Sequence, residues 1–127
     1  LVLVAMISSK GAAGVPGFMF VILSATLASA GLPLPKLLIG AEEVERGKPD
    51  PEPYLLAARR LGLAPADCLV FEDSPFGVTA AKAAGMTAIA IPDAAMADEK
   101  YAHADGILRT LKAFEPDAFG LPALEWA

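Results

Sequence analysis

Glu72 and Asp73 follow directly on the apolar run Cys68-Leu-Val-Phe71, two carboxylates side by side at the end of what reads as a buried strand. Adjacent carboxylates repel, and they stay ionised at low cost only with a cation close by. Carboxylate oxygens that leave room for several waters suit Mg2+. Lys48 lies in the polar loop after a second apolar run, Leu37-Leu-Ile39, and Ser24 follows a third, Phe18 to Leu23. A lysine offers a point charge and a hydroxyl offers a donor, a combination that suits a phosphate. Each residue taken singly has a plainer reading. Lys48 is then a solvated loop lysine, Asp73 a helix-entry acid favoured by the helix dipole, Glu72 a rim charge and Ser24 a helix cap. At the carboxyl ends of neighbouring strands of an open parallel sheet, where ligands bind, the four together read as a Mg2+-phosphate site.

Short apolar runs without alternation mark the strands that must carry these groups, because strands covered on both faces look like this. Leu1 to Ile7 is such a run, fit for a strand or a helix stub, and Ser8 to Pro16 reads as a Gly- and Ala-rich loop. After the strand at 18–23, Ala25 to Ala30 suits a short helix stopped by Gly31 and Pro33. Prolines at 49, 51 and 53 exclude a strand interior and restrict any helix to the residues beyond Pro51. Tyr54, Leu55, Ala58 and Leu61 then recur at helical spacing, with Arg59 and Arg60 on the exposed side and Gly62 as the stop. Ser74-Pro75 is a helix start, Ser as N-cap and Pro in the first turn, and Gly85 closes that helix. Thr87 to Ile91 is the next strand, and Gly106-Ile-Leu108 a possible last one. Strand, helix, strand, helix, strand from Leu37 onward is the pattern of an α/β parallel sheet with right-handed crossovers.

Composition excludes several other classes. Hydrophobic residues make up 55% of the 127, enough for one ordinary domain and too many for a disordered tail. A formal net charge of -5 argues against nucleic acid, which requires a basic face. One cysteine, Cys68, and one histidine, His103, exclude a disulfide framework and a thiolate or histidine-cluster metal site. Residues 11–35 carry no charge, so Val15 to Leu32 must be weighed as a membrane span. Its strongly apolar part is only Phe18 to Leu23, bounded by Pro16-Gly17, which suits a buried strand, and no membrane association is expected. The chain opens on Leu rather than Met and is read as a piece of a longer protein.

Gly47-Lys-Pro-Asp-Pro-Glu-Pro-Tyr54, Val70-Phe-Glu-Asp-Ser-Pro-Phe-Gly77 and Ala80-Ala-Lys-Ala-Ala-Gly-Met86 together resemble the haloacid dehalogenase (HAD) superfamily. The nearest resemblance is to its phosphatases with a small helical cap: sugar phosphatases, β-phosphoglucomutase and pseudouridine-5'-phosphatase. The tail Leu111 to Pro122 is most similar to the last of these. The resemblance divides the chain into a divergent stretch 1–30, a motif-bearing stretch 31–92 and a C-terminal segment 93–127. It implies a Rossmann-like parallel sheet of the HAD core, incomplete because neither the nucleophile motif nor the cap is present. Lys48 matches the lysine that holds the phosphoryl group and steadies the nucleophile. Asp73 matches the acid that helps hold Mg2+, and Glu72 its acidic neighbour. Gly14-Val-Pro16 before the strand at 18–23 makes Ser24 the candidate phosphate-binding hydroxyl, with Ser8 or Ser9 as alternatives. The family's Asp-x-Asp motif, which supplies an aspartate nucleophile and a general acid, has no counterpart here. Forced onto its strand, Leu1 to Ile7 sets Ala5 and Ile7 where the aspartates belong.

The function implied is Mg2+-dependent hydrolysis of a small phosphomonoester, in the cytoplasm, by the full-length relative. The alternative is a catalytically inactive remnant, or a module that binds phosphate or Mg2+ without turnover. The missing nucleophile strand is central in the family's sheet, and an empty slot exposes two inner edges. Unless Leu1 to Ile7 fills it, the isolated chain is expected to be poorly stable or aggregation-prone. A cooperative, monomeric thermal transition above about 50 °C would contradict an empty slot.

Overall fold

The computed structural model describes residues 4–9, 19–24, 36–39 and 41–119. The motif-bearing half folds as its local signals direct. Strand β4 (Leu69–Glu72) pairs in parallel with β5 (Thr87–Ala90), and β5 pairs in parallel with β6 (Gly106–Ile107). Helix α2 (Pro75–Ala83) makes the crossover between β4 and β5. Ser74 stands at its N-cap position with extended backbone, although its side chain makes no capping bond. Gly85, at φ 83°, turns the chain out of the helix in the left-handed region open to glycine.

Helix α1 (Glu52–Leu61) starts two residues earlier than its apolar spacing predicts. Pro53 fits there because the first turn of a helix has unpaired N–H groups in any case. Gly62, at φ 69°, ends the helix, with its own N–H on the Arg59 carbonyl and the Leu63 N–H reaching back to Ala58.

Alternation along β4 sorts the core into two faces. Val70, with Cys68 just before the strand, packs with Tyr54 and Ala57 of α1 and Val78 and Ala81 of α2. The many alanines on this face let both helices lie close on the sheet. Cys68 is fully buried there and its thiol donates to the Ala64 carbonyl at 3.5 Å. Leu69 and Phe71 point the other way, to Ile89 and Phe114, where Phe71 and Phe114 meet edge to face with centroids 4.9 Å apart.

The first half departs from the parallel expectation. Strands β1 (Val4–Ser9), β2 (Met19–Ser24) and β3 (Lys36–Ile39) form an antiparallel sheet in sequence order. The reason lies in the connections. Residues 10–18 and 25–35 are all that link these strands, and a parallel pair needs a crossover of a dozen or more residues. β1 is hydrogen-bonded to β2 and packs beside β4, so it occupies the slot between them that Leu1 to Ile7 could fill. Ser8 and Ser9, expected in a loop, extend this strand. The expected helix at 25–30 lies outside the described residues. The centre of the charge-free stretch is β2, and no helix among the described residues is long and apolar enough to cross a membrane.

Asp105 braces the parallel half. Its carboxylate accepts from the Ala88 N–H at 2.8 Å and from the Lys82 ammonium at 2.9 Å, tying β5 to α2 just ahead of β6. Partial burial opposes ionisation, but the Ala88 N–H and the Lys82 ammonium outweigh it and hold the carboxyl below its usual range. A lowered carboxyl pKa adds stability above the unfolded value of about 4, which is lost as the pH falls through the folded value. Asp105→Asn should therefore be less stable than the parent at pH 7, with the two denaturation midpoints converging as the pH drops below 4.

Candidate functional site

The loop that carries Lys48 is pinned by the helix it leads into. Glu52, in the first turn of α1, accepts from the backbone N–H of Glu45 at 2.7 Å and of Arg46 at 3.0 Å. Asp50 accepts from the Glu52 N–H at 2.9 Å, while its own N–H closes a turn onto the Gly47 carbonyl at 3.0 Å. These short-range bonds leave the Lys48 backbone little freedom. Its side chain runs inward and is 4% exposed, with Nζ 2.5 Å from Oε1 of the fully buried Glu72 side chain.

Strand alternation puts Glu72 on the same face as Val70, under α1. Lys48 and the Tyr54 hydroxyl both donate to its Oε1, and the Ser74 N–H lies 3.4 Å from Oε2. Burial pushes the Glu72 carboxyl up, against the pull of Lys48 and of the Tyr54 hydroxyl. Burial and the nearby Glu72 charge raise the Tyr54 phenol in turn, so it stays protonated and donates. The tyrosine ring also lies near the cation, with Lys48 Nζ 5.7 Å from its centroid.

The carboxylate has room because residue 77 has no side chain. A Cβ at Gly77 would overlap the Glu72 carboxyl group outright. The notch is in the first turn of α2, where the helix dipole favours an anion. Gly77→Ala should force Glu72 away from Lys48 and Tyr54. Its expected cost is about 1–3 kcal/mol of unfolding free energy, measured by denaturant titration of variant against parent.

Asp73 lies past the strand end and is half-buried. With Glu72 it lines a cavity of about 380 Å³, closed by Arg109 and Thr110 and by the apolar Phe71, Ile91 and Leu111. Its backbone carbonyl accepts from the Tyr101 hydroxyl at 2.6 Å, which ties this loop to the segment after β5. Among the described residues no group of three His, Cys, Asp or Glu side chains is gathered to hold a metal. The donor set fits Mg2+ in one way. Such an ion keeps several waters and takes one or two carboxylates plus substrate phosphate, and the Glu72-Asp73 pair lines the cavity.

Lys48, Glu72 and Asp73 thus come together at the carboxyl end of β4. Ser24 follows a different geometry. It pairs with Val4, and its neighbour Leu23 pairs with Lys36, at the start of β3, whereas the Lys48 loop leaves from beyond Ile39 at the other end. Ser8 pairs with Phe20, which pairs with Ile39, so Ser8 and Ser9 stand towards the edge from which that loop departs. Tyr54 and Gly77 were not among the expected site residues. A buried tyrosine needs a partner for its hydroxyl, and that was the signal available for Tyr54, since its helical spacing also fitted a core residue.

Residues 16–85, more than half of the chain, match the profile of the haloacid dehalogenase-like hydrolases. A probable pseudouridine-5'-phosphatase of Drosophila melanogaster is 52% identical over 84 residues, covering 65% of this chain and 36% of that protein. Hexitol phosphatase A of Escherichia coli is 44% identical over 93 residues, covering 69% of this chain and 43% of its own. Among solved structures, β-phosphoglucomutase from Clostridium difficile superposes with a TM-score of 0.56 over 63% of this chain and 34% of its own. At 22% identity that likeness concerns the fold alone. The chain therefore spans less than half the length of each of these proteins. The matched profile, together with Lys48 and the Glu72-Asp73 pair at the end of a parallel strand, makes this chain a member of the haloacid dehalogenase-like hydrolases.

Proposed function

We propose that this chain carries the cation-and-acid half of a phosphomonoester hydrolase site. The observation that carries the reading is the Lys48 ammonium, held by a buried counter-ion beside the cavity that Asp73 lines. Lys48 would bind the phosphoryl group as a point charge. Asp73 would hold Mg2+, with Glu72 as its acidic neighbour and as the anchor of Lys48. When bound, the ion supplies positive charge that offsets the repulsion between an anionic nucleophile and the phosphate. Register supports Ser8 and Ser9, rather than Ser24, as the serines on the edge nearer Lys48. The 127 residues contain no Asp-x-Asp, so the attacking carboxylate would come from sequence outside them.

The substrate class is a small phosphorylated metabolite, a nucleoside or sugar monophosphate. Support comes from the names of the pseudouridine-5'- and hexitol phosphatases and from a cavity at the lower end of small-ligand sites. A second reading is a module that binds phosphate without turnover. It is favoured by β1, whose residues Val4-Ala-Met-Ile-Ser-Ser9 fill the slot beside β4 with no acid among them.

Assays on p-nitrophenyl phosphate with Mg2+ separate the two. The 127-residue chain alone should bind inorganic phosphate and release none from the ester. A longer form with an N-terminal half bearing Asp-x-Asp should turn over, with Lys48→Ala or Asp73→Ala lowering kcat/KM by about a hundredfold or more. No turnover by the longer form leaves the binding module as the function. Turnover unchanged by both substitutions refutes the site.

A further inference from the structure

We propose that Tyr54 is a positioning residue for the Lys48 ammonium, acting through Glu72 in the notch that Gly77 leaves open. Its consequence for phosphate binding rests on the reading of Lys48 given above; the positioning itself does not. Three features carry the inference. Tyr54 touches both members of the ion pair, the anion through its hydroxyl and the cation through its ring. Its hydroxyl shares Oε1 of Glu72 with Lys48, while the Ser74 N–H lies on the Oε2 side. A rotation of the carboxylate therefore disturbs the tyrosine and the lysine at once. The wall on the remaining side is the backbone of α2 at Gly77, so the carboxylate cannot retreat further from the helix layer.

A core aromatic that only filled space under α1 would need no hydroxyl. Tyr54 is fully buried, and its one polar atom goes to a carboxylate that Lys48 already neutralises. That second donor adds little neutralisation and much direction. Hydrogen bonds have angular preferences that a bare ion pair lacks. With Oε1 aimed by the phenol, the ammonium is drawn to one place at the carboxyl end of β4.

The test is Tyr54→Phe, which removes the hydroxyl and keeps the ring contact. The readout is the side-chain ammonium ¹⁵N–¹H signal of Lys48 in the 127-residue chain, assigned by its loss in Lys48→Met. Buried and hydrogen-bonded, these protons exchange slowly with water in the parent. In Tyr54→Phe the exchange should accelerate about fivefold or more, the equivalent of one lost hydrogen bond, and the signal should shift. A folded Tyr54→Phe with unchanged Lys48 signal and exchange overturns the proposal, whatever happens to phosphate binding. Should Tyr54→Phe not fold, 3-fluorotyrosine at position 54 alone keeps the shape and strengthens the donor. It should move the Lys48 signal, and an unmoved signal overturns the proposal. Titration with inorganic phosphate in the same samples addresses the other reading. Binding weakened in Lys48→Met and, less, in Tyr54→Phe joins the two. Binding untouched by Lys48→Met sinks the phosphate assignment and leaves the positioning role standing on the ammonium signal.

Discussion

A cation and an anion with almost no access to water face each other beneath α1, and much of the surrounding structure is what allows them to do so. Taking two charges out of water is unfavourable by several kcal/mol for each, and their attraction offsets this only when other hydrogen bonds complete the geometry. Here the completion is local and identifiable. The Tyr54 hydroxyl and the Ser74 N–H serve the carboxylate, the start of α2 lends its dipole, and Glu52 and Asp50 hold the loop that delivers the lysine. The pair is thus the meeting point of two stretches distant in sequence: the loop after β3 with the first turn of α1 that it enters, and the β4–α2 junction.

The same geometry gives two adjacent acids different work. Alternation turns the Glu72 side chain into the helix layer, where it meets the lysine, while Asp73, beyond the strand, lines the cavity with Glu72, Arg109 and Thr110. In the proposed reading Lys48 is held in place before phosphate arrives, and preorganised charge is worth more than charge that must be gathered during a reaction.

What could be read from the sequence divides by range. Strand β4, helix α2 and strand β5 were legible because their signals are local: an apolar run, Ser-Pro at the start, Gly at the stop. The placement of Lys48 and Asp73 beyond strand ends was legible because each follows such a run. Tyr54 was not, because helical spacing already accounted for it and its partner lies 18 positions away. Gly77 was not, because what a glycine makes room for is visible only once the chain has folded. The direction of β2 was missed for a third reason. The parallel pattern from Leu37 onward does not extend upstream, where the links, residues 10–18 and 25–35, are too short for crossovers. The gathering expected of Ser24 depended on that direction.

Cys68 sits at the base of this arrangement, fully buried, with burial and the charge of Asp67 pushing its thiol up to about 11. Thiol reagents attack the thiolate, which is scarce at neutral pH in such a place, and they must also reach the sulfur. Alkylation of the native chain therefore waits for the residue ahead of β4 to come away from α1 and α2. As the chain contains one cysteine, the molecule carries its own single-site clock for opening of the layer that encloses Lys48 and Glu72.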